Sequence, residues 1–133
     1  MHSLLLVVGD DVHAQLSRFA DWNASGTNSE TKFDWYRIGG RWDGYLRLRS
    51  PRAKRRLFGL LAPRVESQVN VAKKREIDTA TLLASPPSAV LIGGKWSEAP
   101  IRFEEAPDES WRHRFFEIFD RVPDDATLTV VDI

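Results

Sequence analysis

Five apolar residues in succession, Leu4-Leu5-Leu6-Val7-Val8, constrain this chain most. A strand with one wet face alternates apolar and polar residues, so an unbroken run reads as a strand covered on both faces. At 133 residues the chain is long enough for one domain, spanning 1–133, that needs no staples. Its 42% apolar and 11% aromatic content is that of a globular protein. Cysteine is absent, which excludes disulfides, thiol nucleophiles and cysteine-ligated zinc. The Leu4–Val8 run is too short for a signal core or a membrane span, so the expectation is a soluble, cytoplasmic protein with no membrane partner.

Gly9-Asp10-Asp11 follows as a turn, with an Asp placed to cap the next helix. Val12, Leu16 and Phe19 then recur as the apolar stripe of that helix, and the Asn-, Ser- and Gly-rich residues 21–31 form a loop. Gly44 to Arg49 alternates as a strand with Leu46 and Leu48 on one face. Ser50-Pro51 predicts a helix start, because proline at the first position lacks only an orphan N–H; Gly59 weakens that helix and Pro63 ends it. Residues 64–84 carry the weakest pattern, with Val69 and Val71 suggesting a strand.

Ala89 to Ile92, Gly93-Gly94 and Lys95-Trp96 make a hairpin signal, since paired glycines supply the positive φ of a tight turn. Pro107-Asp108-Glu109 opens a last helix whose apolar face is Trp111, Phe115, Ile118 or Phe119, and Val122. Pro123 stops it before a closing strand from Thr127 to Ile133. The order predicts an α+β fold, a ferredoxin-like split β-α-β sheet with an irregular basic insert.

The segment most suggestive of function is Trp35-Tyr36-Arg37-Ile38-Gly39-Gly40-Arg41-Trp42-Asp43-Gly44-Tyr45-Leu46. Glycines allow close backbone approach, and exposed amides beside arginines can cradle an anion. Gly-Lys-Ser/Thr and G-x-G-x-x-G are both absent, so this is neither a P-loop nor a dinucleotide fingerprint. One reading is a pocket in which Arg37, Gly39, Gly40 and Arg41 hold a phosphate or carboxylate while Trp35 and Trp42 stack on a base. The other is a structural corner with Trp35, Trp42 and Tyr45 in the core.

Charge is balanced at 19 basic and 19 acidic residues, but unevenly spread. Arg47, Arg49, Arg52, Lys54, Arg55 and Arg56 fall within ten positions, enough to neutralise ~4–6 phosphates. No helix-turn-helix or RNA-binding signature accompanies them. Residues 98–132 hold ten acids against four arginines. Such opposed faces can attract nucleic acid, each other within the chain, or a second copy.

Four stretches, in this order, resemble an uncharacterised family of small proteins encoded by phages and bacterial genomes. Leu6 to Val12 with Gln15-Leu16 is similar to its V-(I/V)-G-D-(D/N)-V-x-x-Q-L opening. Phe33 to Gly44 resembles its W-D-W-Y-x-(I/L)-G-G-R-W-x-G segment. Val90-Leu91 with Gly94-Lys95-Trp96 is similar to V-L-x-x-G-K-W, and Pro123 to Asp132 to P-D-D-T-x-L-T-V-V-D. Members commonly continue with Cys-His-Ile, whereas Ile133 follows Asp132 here, so no Cys-His chemistry is carried over. The resemblance implies an accessory protein of phage or mobile-element type and no particular activity.

No catalytic signature is present. His2, His13 and His113 share no metal-ligand spacing, Asp10-Asp11 reads as a cap, and there is no G-x-S-x-G elbow. An acid–base set of Asp34, Asp43 and His13 is the remaining catalytic option. Phe115, Phe116 and Phe119 read as helix core, with one left over for a dimer contact. The expectation is a binding protein without metal or cofactor, taking a nucleotide or nucleic acid at Trp35–Trp42. The alternative is a protein–protein module or homodimer with no small-molecule ligand.

Overall fold

The computed structural model describes residues 2–20, 32–54, 64–100 and 109–133. In chain order the elements are β1 (Leu4–Val8), α1 (Val12–Ser17), β2 (Arg37–Ile38), β3 (Leu46–Lys54), β4 (Arg64–Val69), β5 (Val71–Lys73), α2 (Thr79–Ala84), β6 (Ala89–Ile92), β7 (Lys95–Glu98), α3 (Glu109–Asp120) and β8 (Thr127–Asp132). Short 3₁₀ turns occupy Gly40–Trp42 and Lys74–Glu76.

The protein is a mixed α+β fold. Its main sheet runs β2-β8-β1-β6-β7, with β5 also pairing with β8. β1 is central and buried along its whole length, as its unbroken apolar run predicts. Leu4, Leu6 and Val8 face a core with Leu46, Leu48, Trp111, Phe115 and Phe119; Leu5 and Val7 face Leu16, Phe19, Phe33 and Leu91. The strand is thus covered by α1 on one side and by α3, α2 and the β3–β4 ladder on the other.

The strand order departs from a ferredoxin-like sheet. A split β-α-β leaves a strand between its two parallel members, but β1 pairs directly with β6, in parallel register from Leu5–Ala89 to Val8–Ile92. The reason lies in the hairpin: its first strand, rather than its second, carries the Ala89-Val90-Leu91-Ile92 run apolar enough for the interior, so Lys95–Glu98 takes the edge. The hairpin itself forms as expected, with Gly93 and Gly94 at φ +56° and +80°.

The strand through Leu46 and Leu48 does not join the main sheet. It pairs with β4 in a separate two-stranded ladder. Pro51 lies inside this strand, so the expected helix from Ser50 does not form. The ladder shifts register between Arg47 and Arg52, and this irregularity accommodates a residue that cannot donate to a ladder. The Gly59 and Pro63 stop signals, the 21–31 loop and the Pro107-Asp108 helix start lie outside the described residues.

Residues 64–84 divide into β4, β5, a 3₁₀ turn and α2. Asn70 separates the strands so that they enter different sheets. α2 has a side-chain N-cap, Asp78 accepting from the Ala80 amide at 3.1 Å, and buries Leu82. Asp11 holds the N-cap position of α1 without capping it; its carboxylate instead accepts from Gln15 Nε2 at 2.9 Å. Gln15 also donates to the Val8 carbonyl and accepts from the Gly94 amide, tying β1 to the hairpin turn.

α3 presents Trp111, Phe115, Phe119 and the following Val122 to the core, and Phe116 is left exposed. Lys74 Nζ donates to the carbonyls of Phe119 and Val122 at 2.9 and 2.8 Å, satisfying groups that a helix end leaves orphaned.

Candidate functional site

β2 is only two residues long, and the chain turns sharply as soon as it ends. Gly39 and Gly40 both take positive φ, +74° and +54°, and the turn is held against β8. A β-carbon at Gly40 would lie 2.6 Å from Asp132 Cβ and from its Oδ2; one at Gly39 would lie 2.5 Å from the Asn70 amide nitrogen. Only glycine permits this approach, so both glycines serve the packing of the corner.

The amides of Gly39, Arg41, Trp42, Gly44 and Tyr45 are occupied from within. Gly39 donates to the Val130 carbonyl at 2.9 Å, Trp42 to Gly39 at 2.9 Å and Tyr45 to Trp42 at 3.0 Å. The Arg41 amide donates to Asp132 Oδ2 at 2.9 Å, and Gly44 to Asn70 Oδ1 at 2.7 Å. Asn70 Nδ2 in turn donates to Asp43 Oδ1. The anion seated at the Gly-Gly-Arg turn is therefore the protein's own Asp132 carboxylate.

Asp132 is 1% exposed and also accepts from His2, whose Nδ1 lies 2.8 Å from Oδ1 and 3.0 Å from Oδ2. Burial alone raises its pKa, but the Arg41 amide, the His2 hydrogen bond and the nearby charges of His2 and Arg41 together outweigh it. The carboxyl is held below its ordinary value. Because the native pKa is depressed, the stabilisation is complete above the unfolded value of about 3.9 and is lost as pH falls through the native one. Asp132→Asn is expected to cost about 2–3 kcal/mol at neutral pH. In urea melts, that gap from wild type should narrow progressively below about pH 4; a gap unchanged at low pH would show that the charge contributes nothing.

The side chains of the segment divide. Trp42 and Tyr45 pack against the larger core, and burial pushes the Tyr45 phenol well above its usual pKa while its hydroxyl donates to the Ser85 carbonyl. Trp42 is partly buried against that core, and its buried indole nitrogen has no hydrogen-bond partner among the described residues. Trp35 remains 46% exposed, edge-on to the His2 ring at 5.8 Å. Arg37, Ile38 and Arg41 are also exposed, Ile38 at 49%. Of the basic run, Arg47 and Arg49 point outward from β3, with Arg49 Nε donating to the Ile77 carbonyl at 2.8 Å. Arg52 and Lys54 follow on the same strand, whereas Arg55 and Arg56 lie outside the described residues. The run belongs to the second ladder, separate from the corner on the main sheet.

Asp34, Asp43 and His13 are not joined. His13 Nδ1 is 2.7 Å from the Tyr36 hydroxyl, and Asp43 is bound to Asn70. Among the described residues, no three His, Asp or Glu side chains gather as a metal site. No described helix is long and apolar enough to cross a membrane. Spacing offered no signal for Asp132, Asn70 and His2, which hold the corner from distant parts of the chain. Compared with protein-family models, curated proteins and solved structures, the chain matches none.

Proposed function

We propose that this chain is a binding module whose recognition surface is the rim of the sheet at β2, built from Trp35, Arg37, Ile38 and Arg41, and whose partner is an acidic protein segment with apolar residues. The carrying observation is that the Gly39, Arg41 and Gly44 amides are spent on Val130, Asp132 and Asn70 while these four side chains stay exposed. An anion cradle needs free amides. A protein contact needs a rigid aromatic, an aliphatic neighbour and arginines, which is the composition of interface hot spots. Arg37 makes no ion pair among the described residues, and the corner beneath it is fixed by buried hydrogen bonds. The resemblance of its motifs to those of phage and bacterial proteins supports an accessory role of phage or mobile-element type.

The test is selection from a displayed library of random peptides, using wild type and Arg37→Glu/Arg41→Glu. Wild type should enrich Asp- and Glu-containing apolar peptides, and the charge-reversed protein should lose them while staying folded, at a lower melting temperature because the Arg41 charge near Asp132 is reversed. If neither protein enriches acidic peptides but single-stranded oligonucleotides bind wild type and not the variant, the surface takes nucleic acid. Concentration-dependent sedimentation abolished by the same pair would instead make it a homodimer contact.

A further inference from the structure

The geometry points to a second site, independent of the β2 rim: an oxyanion groove between the β6–β7 hairpin and α3 that takes a small phosphate monoester. The hairpin register sets Ile92 opposite Lys95 and Val90 opposite Ser97, so these four side chains share one face of the sheet. α3 and the turn that follows it flank that face with Arg114, Glu117 and Ile118 on the helix and Arg121 just past its end, spaced three and four residues apart beside the core stripe. Together they enclose a cavity of about 360 Å³, within the range of small-ligand sites.

Its chemistry is two-part. Val90, Ile92 and Ile118 provide an aliphatic floor, and Lys95, Arg114 and Arg121 supply three cations to the same cavity. None of the three makes an ion pair among the described residues. Among the described lining residues the one acid, Glu117, is 3.2 Å from His113 on the neighbouring turn. Three positive charges against one negative leave the groove matched to a dianion. Ser97, mostly buried on the edge strand, adds a hydroxyl with no hydrogen-bond partner among the described residues. Two guanidinium forks, an ammonium and a hydroxyl suit the three terminal oxygens of a phosphate better than the two of a carboxylate. The aliphatic floor takes the ester's apolar body, and no aromatic ring is among the described lining residues.

The experiment is a titration of wild type with phenyl phosphate, inorganic phosphate and benzoate, followed by amide chemical shifts and calorimetry. Phenyl phosphate should bind saturably and more tightly than the other two, with the largest shifts at Ser97 and Ile118. Arg114→Ala and Arg121→Ala should each weaken it by about tenfold or more without lowering the melting temperature, since both side chains are exposed. Arg37→Ala/Arg41→Ala should leave it unchanged. Absence of saturation at millimolar concentrations overturns the site. So does binding that survives Arg114→Ala/Arg121→Ala, or binding lost in the Arg37/Arg41 variant, which would move the anion to the β2 rim.

Discussion

Trp111→Ala is expected to destabilise the protein by about 3–5 kcal/mol, a melting-temperature loss of roughly 10 °C or more. Trp111 is 2% exposed in the first turn of α3, packs against Phe115 at 6.2 Å between ring centroids, and donates its indole N–H to the Pro87 carbonyl at 2.9 Å. Truncation opens a cavity where α3 meets the sheet and strands a buried acceptor. Trp111→Phe keeps most of the ring and loses only the hydrogen bond, so its cost should be about 1–2 kcal/mol. Since domains of this kind are stable by only ~5–15 kcal/mol, the Ala variant would lie near the edge of folding. Phenyl phosphate binding should weaken with it, because Arg114 rides on the same helix and Arg121 directly follows it. A loss below about 1 kcal/mol would mean that α3 is docked by other contacts.

Gly40→Ala should cost about 3 kcal/mol, and Gly93→Ala should cost only ~1–2 kcal/mol. Both glycines have φ near +55°, at +54° and +56°, so the backbone penalty is shared. They differ in surroundings. A β-carbon at Gly93 meets nothing within 4 Å, while one at Gly40 overlaps the Asp132 side chain. Relief there requires Asp132 to move, which breaks the hydrogen bond from Arg41 and unsettles His2. The difference between the two variants in parallel urea melts isolates the fit of the corner from glycine's conformational freedom. Equal losses would show that the Asp132 contact yields without cost.

Much of the fold was legible because its signals are local. The run Leu4–Val8, the Gly93-Gly94 turn and the Trp111/Phe115/Phe119 stripe each report burial through spacing within one element. Local signals failed where two readings fit the same residues. Ser50-Pro51 suits a helix start equally well as an interrupted strand, and only pairing with β4 decides. α2 leaves no periodic signal, because the helix that Asp78 caps has six residues, too few to show a stripe. β2 leaves none either, because two residues carry no period.

The candidate site followed the same division. The sequence alone determined that Trp35 to Tyr45 is a tight, glycine-dependent turn rich in rings and arginines, since those properties belong to the residues themselves. That the Arg41 amide faces the protein's own carboxylate was decided by Asp132, which is 91 residues away and reaches it only because β8 pairs with β2. The phosphate groove is likewise a product of assembly, with Lys95 and Ser97 on an edge strand, Arg114 on the helix beside it and Arg121 just past that helix's end. Periodicity records which residues are buried. Which charged groups end as neighbours depends on strand order and helix docking, and those are set by the whole chain's competition for a shared core.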